Sequence, residues 1–226
     1  MEEGNMEEYL GIASDKLWVA GAETVYMVCI SLVIGSLIAF PLAILLYLTK
    51  RNGMYQNRIL NGVINIVINV IRSTPFIILL VCVMPVTKII VGTRIGTKAA
   101  LVPLTIYIAP YLARLMEGAL LETKDGILEV AEVMGATPLQ IIWHFILPES
   151  MGSLVLTITT GTIGLIGATA MAGYIGGGGI GNIALTYGYQ QFNNRLMFFT
   201  VLILIIVVQL IQNLGTWASA KIKKVK

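Results

Sequence analysis

Glu129, Ala131, Met134, Gly135, Ala136 and Pro148 punctuate residues 122–150, a polar stretch in an otherwise apolar chain. None of these side chains offers bond-making chemistry. Alanine, glycine and proline shape a backbone, and a carboxylate beside them offers a polar contact, so the chemistry available is recognition by a shaped helix surface. Ile127, Val130, Ala131 and Met134 recur at helical spacing while Glu129 and Glu132 face the other way, which predicts a short amphipathic helix. Gly135 supplies its C-terminal stop. Thr137, Pro138 and Gln140 then read as an N-cap, an N1 proline and a capping-box partner, so a second helix starts at once and Pro148 is expected to end it. Two short helices joined at a glycine can pass a push from a docked partner into the flanking spans. The alternative is an amphipathic segment resting on lipid.

A second group of residues lies inside apolar runs, where a charge is costly. Arg72 follows Asn61, Asn65 and Asn69, whose four-residue spacing puts three amides on one helix face. That face points at protein or water, either as the wall of a wet pathway or through hydrogen bonds between spans. Arg72 is a candidate to pair with an acidic residue. Arg114 and Glu117 stand three residues apart. Ser153, Thr157, Gly161, Gly164 and Ala168 form a small-residue pattern that lets helices approach closely. Covalent chemistry lacks its parts: no paired carboxylates, no Ser with His and no metal cluster occur in the apolar runs, so no catalytic and no metal-binding residue is assigned. His144, the one histidine, reads as an interfacial polar residue, and Cys29 and Cys82 read as small core hydrophobes. Gly176 to Gly179 lacks the Lys-Ser or Lys-Thr of a phosphate loop and reads as a flexible external turn.

Hydrophobic residues make up 57% of the 226, charged residues 12%, and mean hydropathy is +0.85. This is the composition of an all-α polytopic membrane protein, for which the lipid bilayer is the solvent. A net charge of +3 with scattered Lys and Arg makes nucleic acid a poor partner. The basic run Lys221 to Lys226 reads as an anchor at an anionic leaflet. The acidic start, with Glu2, Glu3, Glu7 and Glu8, lacks the positive region of a cleaved signal, so the first span is expected to be retained. A crossing needs about 20 apolar residues. Five spans are expected in a single domain over 1–226, at about 25–48, 59–87, 99–121, 152–172 and 196–218, with the polar loop at 122–150. Lys50, Arg51, Arg58, Arg114, Lys124, Lys221, Lys223, Lys224 and Lys226 fall on one side. Lys16, Lys88, Arg94, Lys98 and Arg195 fall on the other. The bias predicts an outside N-terminus, with the C-terminus and the polar loop in the cytoplasm.

The spacing Glu129-Val-Ala131, three residues, Gly135, nine residues, Phe145-Ile-Leu147-Pro148 resembles the cytoplasmic signature loop of the permease subunits of ATP-binding-cassette importers. Val130 and Phe145 depart from that pattern, both by apolar replacement. Arg72-Ser-Thr-Pro-Phe76, Pro85 to Thr93, Met134 to Ile141 and Tyr187-Gly-Tyr189 extend the resemblance to the methionine importer permeases within that family, from the second span onward.

The resemblance implies a non-catalytic transport subunit of the bacterial cytoplasmic (inner) membrane that works by alternating access. It implies a homodimer of permeases, two cytoplasmic ATP-binding subunits that use ATP and Mg, and an external methionine-binding protein; this chain itself binds no cofactor. In that frame Gly135 is the bend of the coupling element, Ala131 and Met134 belong to its docking face, Ala136 and Pro148 complete it, and Glu129 is a polar contact or helix N-terminal charge. Asn69, Arg72, Met171 and Tyr174 are the pathway or gate candidates, Met171 as a flexible plug. Another small amino acid or a peptide is the alternative substrate, and a secondary transporter the alternative class. The latter would need internal repeats or coupling-ion residues that are not evident in the chain.

Overall fold

Backbone that crosses lipid must satisfy its own hydrogen bonds, and in the computed structural model of the chain no strand occurs among the described residues. These are residues 11–51, 53–123 and 125–224. Glu2, Glu3, Glu7, Glu8, Lys124 and Lys226 of the charge pattern lie outside them, as does the side chain of Glu132. Helix α1 runs Ser14–Thr49, with Pro41 inside it. Helix α4 runs Thr97–Leu121, and α9 runs Asn194–Lys224.

The interval 59–87, expected as one span, forms two helices, α2 (Arg58–Ser73) and α3 (Phe76–Val91), bent by 112°. Pro75 is the cause: its ring disfavours helical geometry at the preceding residue, and Thr74 sits at φ −84, ψ 122. Asn61 of α2 donates to Leu46 O and Thr49 Oγ1 near the C-terminal end of α1, whereas Thr97, the first residue of α4, donates to Glu23 near the opposite end. Among the described residues four helices are long and apolar enough to cross a membrane alone, and the bent pair, counted as one broken span, brings the number to five.

Two further differences concern proline and glycine. Pro148 does not end the helix that starts at Thr137. The turn α6 (Pro138–Gln140), a π-helical stretch Ile141–Ile146 and α7 (Leu147–Ala172) are continuous, with Pro148 in the first turn of α7. The wider π register, in which Leu147 N–H bonds Ile142 O, supplies the local adjustment by which a helix tolerates a residue lacking an N–H. The glycine run is not a free turn either. After it, α8 (Ile180–Ile183) and a π stretch Ala184–Gln190 fold back. A Cβ on Gly181 would collide with Ala170 of α7, and one on Gly188 would press on Met197 of α9.

Helix α4 is the axis of the bundle. Leu104, Ile108 and Leu112 recur every four residues and are fully buried. Glycines let the neighbours close on this stripe: a Cβ at Gly35 of α1 would run into Ile108, and one at Gly161 of α7 into Leu112. Such close approach drives helix association in lipid, where tails are as apolar as leucine. Cys29 and Cys82, expected in the core, are exposed, which suits small apolar residues facing lipid. The two ends of the described chain lie at opposite ends of the bundle: Thr24 of α1 meets Ile180, whereas Ser219 of α9 donates to Gly152 O at 2.8 Å.

Candidate functional site

The segment between α4 and α7 folds as its capping residues dictate. Helix α5 spans Asp125–Val133. Gly135 follows at φ +71, and Ala136 N–H bonds back to Ala131 O at 3.1 Å, closing a left-handed C-cap. Thr137 and Gln140 form the expected reciprocal capping box, with Thr137 N–H donating to Gln140 Oε1 at 2.8 Å. The two helices meet at a corner whose outer surface is apolar. Val133 is 89% exposed and Met134 71%, with Val130 and Leu139 exposed beside them. Ala131 belongs to the other side: it is 0% exposed and clusters with Ile141 and Ile142, so it seats α5 on the π stretch rather than facing a partner. Glu129 and Pro148 are exposed and Ala136 is half-buried. His144 Nδ1 lies 3.2 Å from Gln140 O. An apolar patch on the polar end of a membrane protein marks a contact surface.

Above this corner the amide stripe of α2 grips an ion pair of α4. Arg114 bonds Glu117 at 2.7 Å through one guanidinium nitrogen. Its other terminal nitrogen donates to Asn65 Oδ1 and, at 3.5 Å, to Asn69 Oδ1. Asn65 in turn donates to Asn61 Oδ1 at 2.8 Å. The stripe therefore makes bonds between helices, its amide oxygens accepting from the guanidinium nitrogen that Glu117 does not bond. Arg72 meets no carboxylate among the described residues. Its guanidinium lies 5.9 Å from the centroid of the Tyr111 ring, which stacks on Tyr107, a cation–π contact.

Helix α7 presents one face to open space. Thr160, Gly164, Gly167 and Met171 lie along it at helical spacing, and a Cβ at Gly164 or Gly167 would meet nothing within 4 Å. Met171 and Tyr174 close the stripe, both exposed. At its other end an open recess of about 400 Å³ is lined by Arg114, Glu122, Ser153, Thr157, Thr160 and Lys223, with Ser153 Oγ donating to Glu122 at 2.6 Å. Met171 and Tyr174 thus sit at the same end of α7, Tyr174 in the turn that follows it, whereas Arg72 contacts Tyr111 of α4. No group of three or more His, Cys, Asp and Glu able to hold a metal ion occurs among the described residues.

One contact that holds these elements together is not readable from spacing. Glu23 of α1 accepts from Gly179 N–H at 2.8 Å and from Thr97 Oγ1 at 3.4 Å, while Thr24 Oγ1 accepts from Ile180 N–H at 2.9 Å. The glycine run turns through positive φ at Gly178 and Gly179 to present those N–H groups. Glu23 thereby latches the 176–190 segment to α1. The available signal was a carboxylate immediately before an apolar run; its partner lies 156 residues away.

Comparison with known proteins places this geometry in context. Residues 32–224 match the family model described as binding-protein-dependent transport system inner membrane component. The chain is 44% identical over 215 residues to the probable D-methionine transport system permease protein MetI of Vibrio cholerae, covering 95% of this chain and 96% of that protein. It is 44% identical over 200 residues to the methionine import system permease protein MetP of Bacillus subtilis, covering 88% and 90%. A chain of the MetNI methionine ABC transporter in an inward-facing conformation superposes with a TM-score of 0.88 at 41% identity, over 93% of this chain and 99% of that one. An amino acid ABC transporter with histidines shares the fold at a TM-score of 0.78 and 16% identity, over 98% and 99%.

Proposed function

The chain belongs to the family of binding-protein-dependent transport system inner membrane components, and from that premise we propose that it is the membrane-spanning permease of an ATP-driven methionine importer. The observation that supports the reading is the α5–Gly135–α6 corner, a capped element that exposes Val130, Val133, Met134 and Leu139 on its outer surface. A permease that takes its energy from a separate ATPase needs such an element; a secondary transporter does not. The chain is not an enzyme. ATP, with Mg, is used by a partner ATPase subunit and not by this chain.

In the working assembly two copies of the chain pair, two ATPase subunits dock on the α5–α6 corners from the cytoplasm, and an external binding protein delivers methionine at the opposite end. The N-terminus is outside and the C-terminus cytoplasmic, the orientation favoured by the Lys and Arg distribution. Closure of the ATPases pushes the corner. Because α6 continues without a break through the π stretch into α7, the push reaches the open stripe ending at Met171 and Tyr174. Met171 is the flexible plug of that stripe. Asn69 and Arg72 position α2 and α4 around the pathway.

Co-reconstitution with the ATPase and binding protein into vesicles tests the proposal. Methionine uptake should require ATP and persist after ion gradients are collapsed, with unlabelled methionine competing better than other amino acids. Uptake driven by an ion gradient without ATP would overturn it.

A further inference from the structure

An open groove of about 800 Å³ lies between α1, the π stretch, α7 and α9, walled by Phe40, Trp143, Leu147, Met151 and Trp217, with Lys221 at its edge. Its size is within the range of about 300–1,000 Å³ typical of ligand sites, and its walls are almost wholly apolar. The Phe40 and Trp143 rings pack against each other in its wall, with centroids 6.3 Å apart. Lys221 Nζ sits 5.2 Å from the centroid of the Trp217 ring. Among the described residues no carboxylate lines the groove, and the last turn of α9 carries Lys221, Lys223 and Lys224 without an acidic residue. The polarity is graded: aromatic and aliphatic toward the middle of the bundle, cationic where α9 leaves the apolar region. Two tryptophans beside a lysine are the side chains favoured at the boundary between hydrocarbon and head groups.

We propose that this groove binds an anionic phospholipid, with an acyl chain against Phe40, Trp143 and Trp217 and the head-group phosphate paired with Lys221. The inference rests on the membrane-spanning reading above. Charge complementarity selects the occupant. A second copy of the chain would bring another lysine-rich α9 end to the same face, like charge against like, and a zwitterionic lipid would leave the lysine without a net counter-charge. Trp143 belongs to the π stretch between the coupling corner and α7, so the lipid would touch the element that the corner must move.

The full chain carrying Trp18→Phe leaves two of the three tryptophans, Trp143 and Trp217, as reporters. It is reconstituted in vesicles containing either phosphatidylglycerol or phosphatidylcholine with brominated acyl chains. Half-quenching is expected at about fivefold lower mole fraction of the anionic lipid, the weight of one lysine near an anionic surface. Lys221→Gln should remove that preference with helicity unchanged by circular dichroism, Lys221→Arg should keep it, and Lys224→Gln should keep it because Lys224 lies off the groove. Equal quenching by the two lipids, or equal loss of preference in Lys221→Gln and Lys224→Gln, would overturn the site. So would absence of quenching together with cross-linking of Ala218→Cys between copies, which assigns the face to a second chain. Flotation with the vesicles reports insertion separately; its failure would fault the membrane-spanning reading itself.

Discussion

Gly135 is the position at which conformation and space make opposite forecasts. Its φ is +71, and a Cβ built there meets no atom within 4 Å. The first carbon of a side chain therefore meets open space, and the cost of a small substitution lies in the backbone. An L-residue held in the left-handed region loses about 1–2 kcal/mol, less for asparagine, which is the usual substitute at this cap. Proline is locked near φ −65° and cannot adopt the turn at all. A loss of about 1–2 kcal/mol lowers the ratio of formed to broken corner by roughly 5–30-fold. The forecast order of methionine transported per ATP hydrolysed is Gly ≈ Asn > Ala > Pro, with Pro uncoupled. The assay measures labelled methionine uptake and phosphate release in the same vesicles containing the ATPase and binding protein. An order that follows side-chain volume, with Asn worse than Ala, would refute the backbone argument. Normal coupling in Gly135→Pro would refute the role of the corner.

Glu23→Ala removes a charged acceptor from Gly179 N–H and Thr97, with an expected loss of about 1.5–3 kcal/mol in detergent unfolding; Glu23→Gln should lose less, and an unchanged midpoint in both would discount the latch. Asn65→Leu takes an acceptor from Arg114 and should cost about 0.6 kcal/mol, with about 1.7 as the upper end for an interhelical bond in lipid, read from the same unfolding curves. Gly161→Leu overpacks the contact with Leu112 and should cost about 1–3 kcal/mol, whereas Gly164→Ala, which faces open space, should leave stability unaltered. Met171→Ala should raise passive leak or change the uptake rate in vesicles; wild-type values for both would count against the plug.

What the sequence makes legible is what is local. The left-handed stop at Gly135 and the Thr137–Gln140 box depend on residues within one turn of each other, and both form as their types require. The amide stripe is legible as a face because its spacing is helical, and its partner Arg114 stands out as a charge, though only packing brings the two together. The end of the helix that starts at Thr137 is misread at Pro148 because Ile141–Ile146 carries no residue that announces a π register. The bend at Thr74-Pro75 has a local cause, but the length of the apolar run conceals it. Ala131 and Met134 share a periodic stripe, yet only one faces outward, since a nine-residue helix pinned along one side buries part of its apolar set. Glu23 and Gly179 are joined by tertiary folding alone.

The central claim is that the α5–Gly135–α6 corner is where an ATPase delivers its work to this chain. Met134, 71% exposed on that corner, provides the direct measurement. Met134→Cys should cross-link to the ATPase subunit in active, co-reconstituted vesicles, and the cross-link should abolish ATP-driven methionine uptake in proportion to its yield. Full uptake with no cross-link at Met134→Cys, alongside efficient cross-linking from some other surface of the chain, would contradict it.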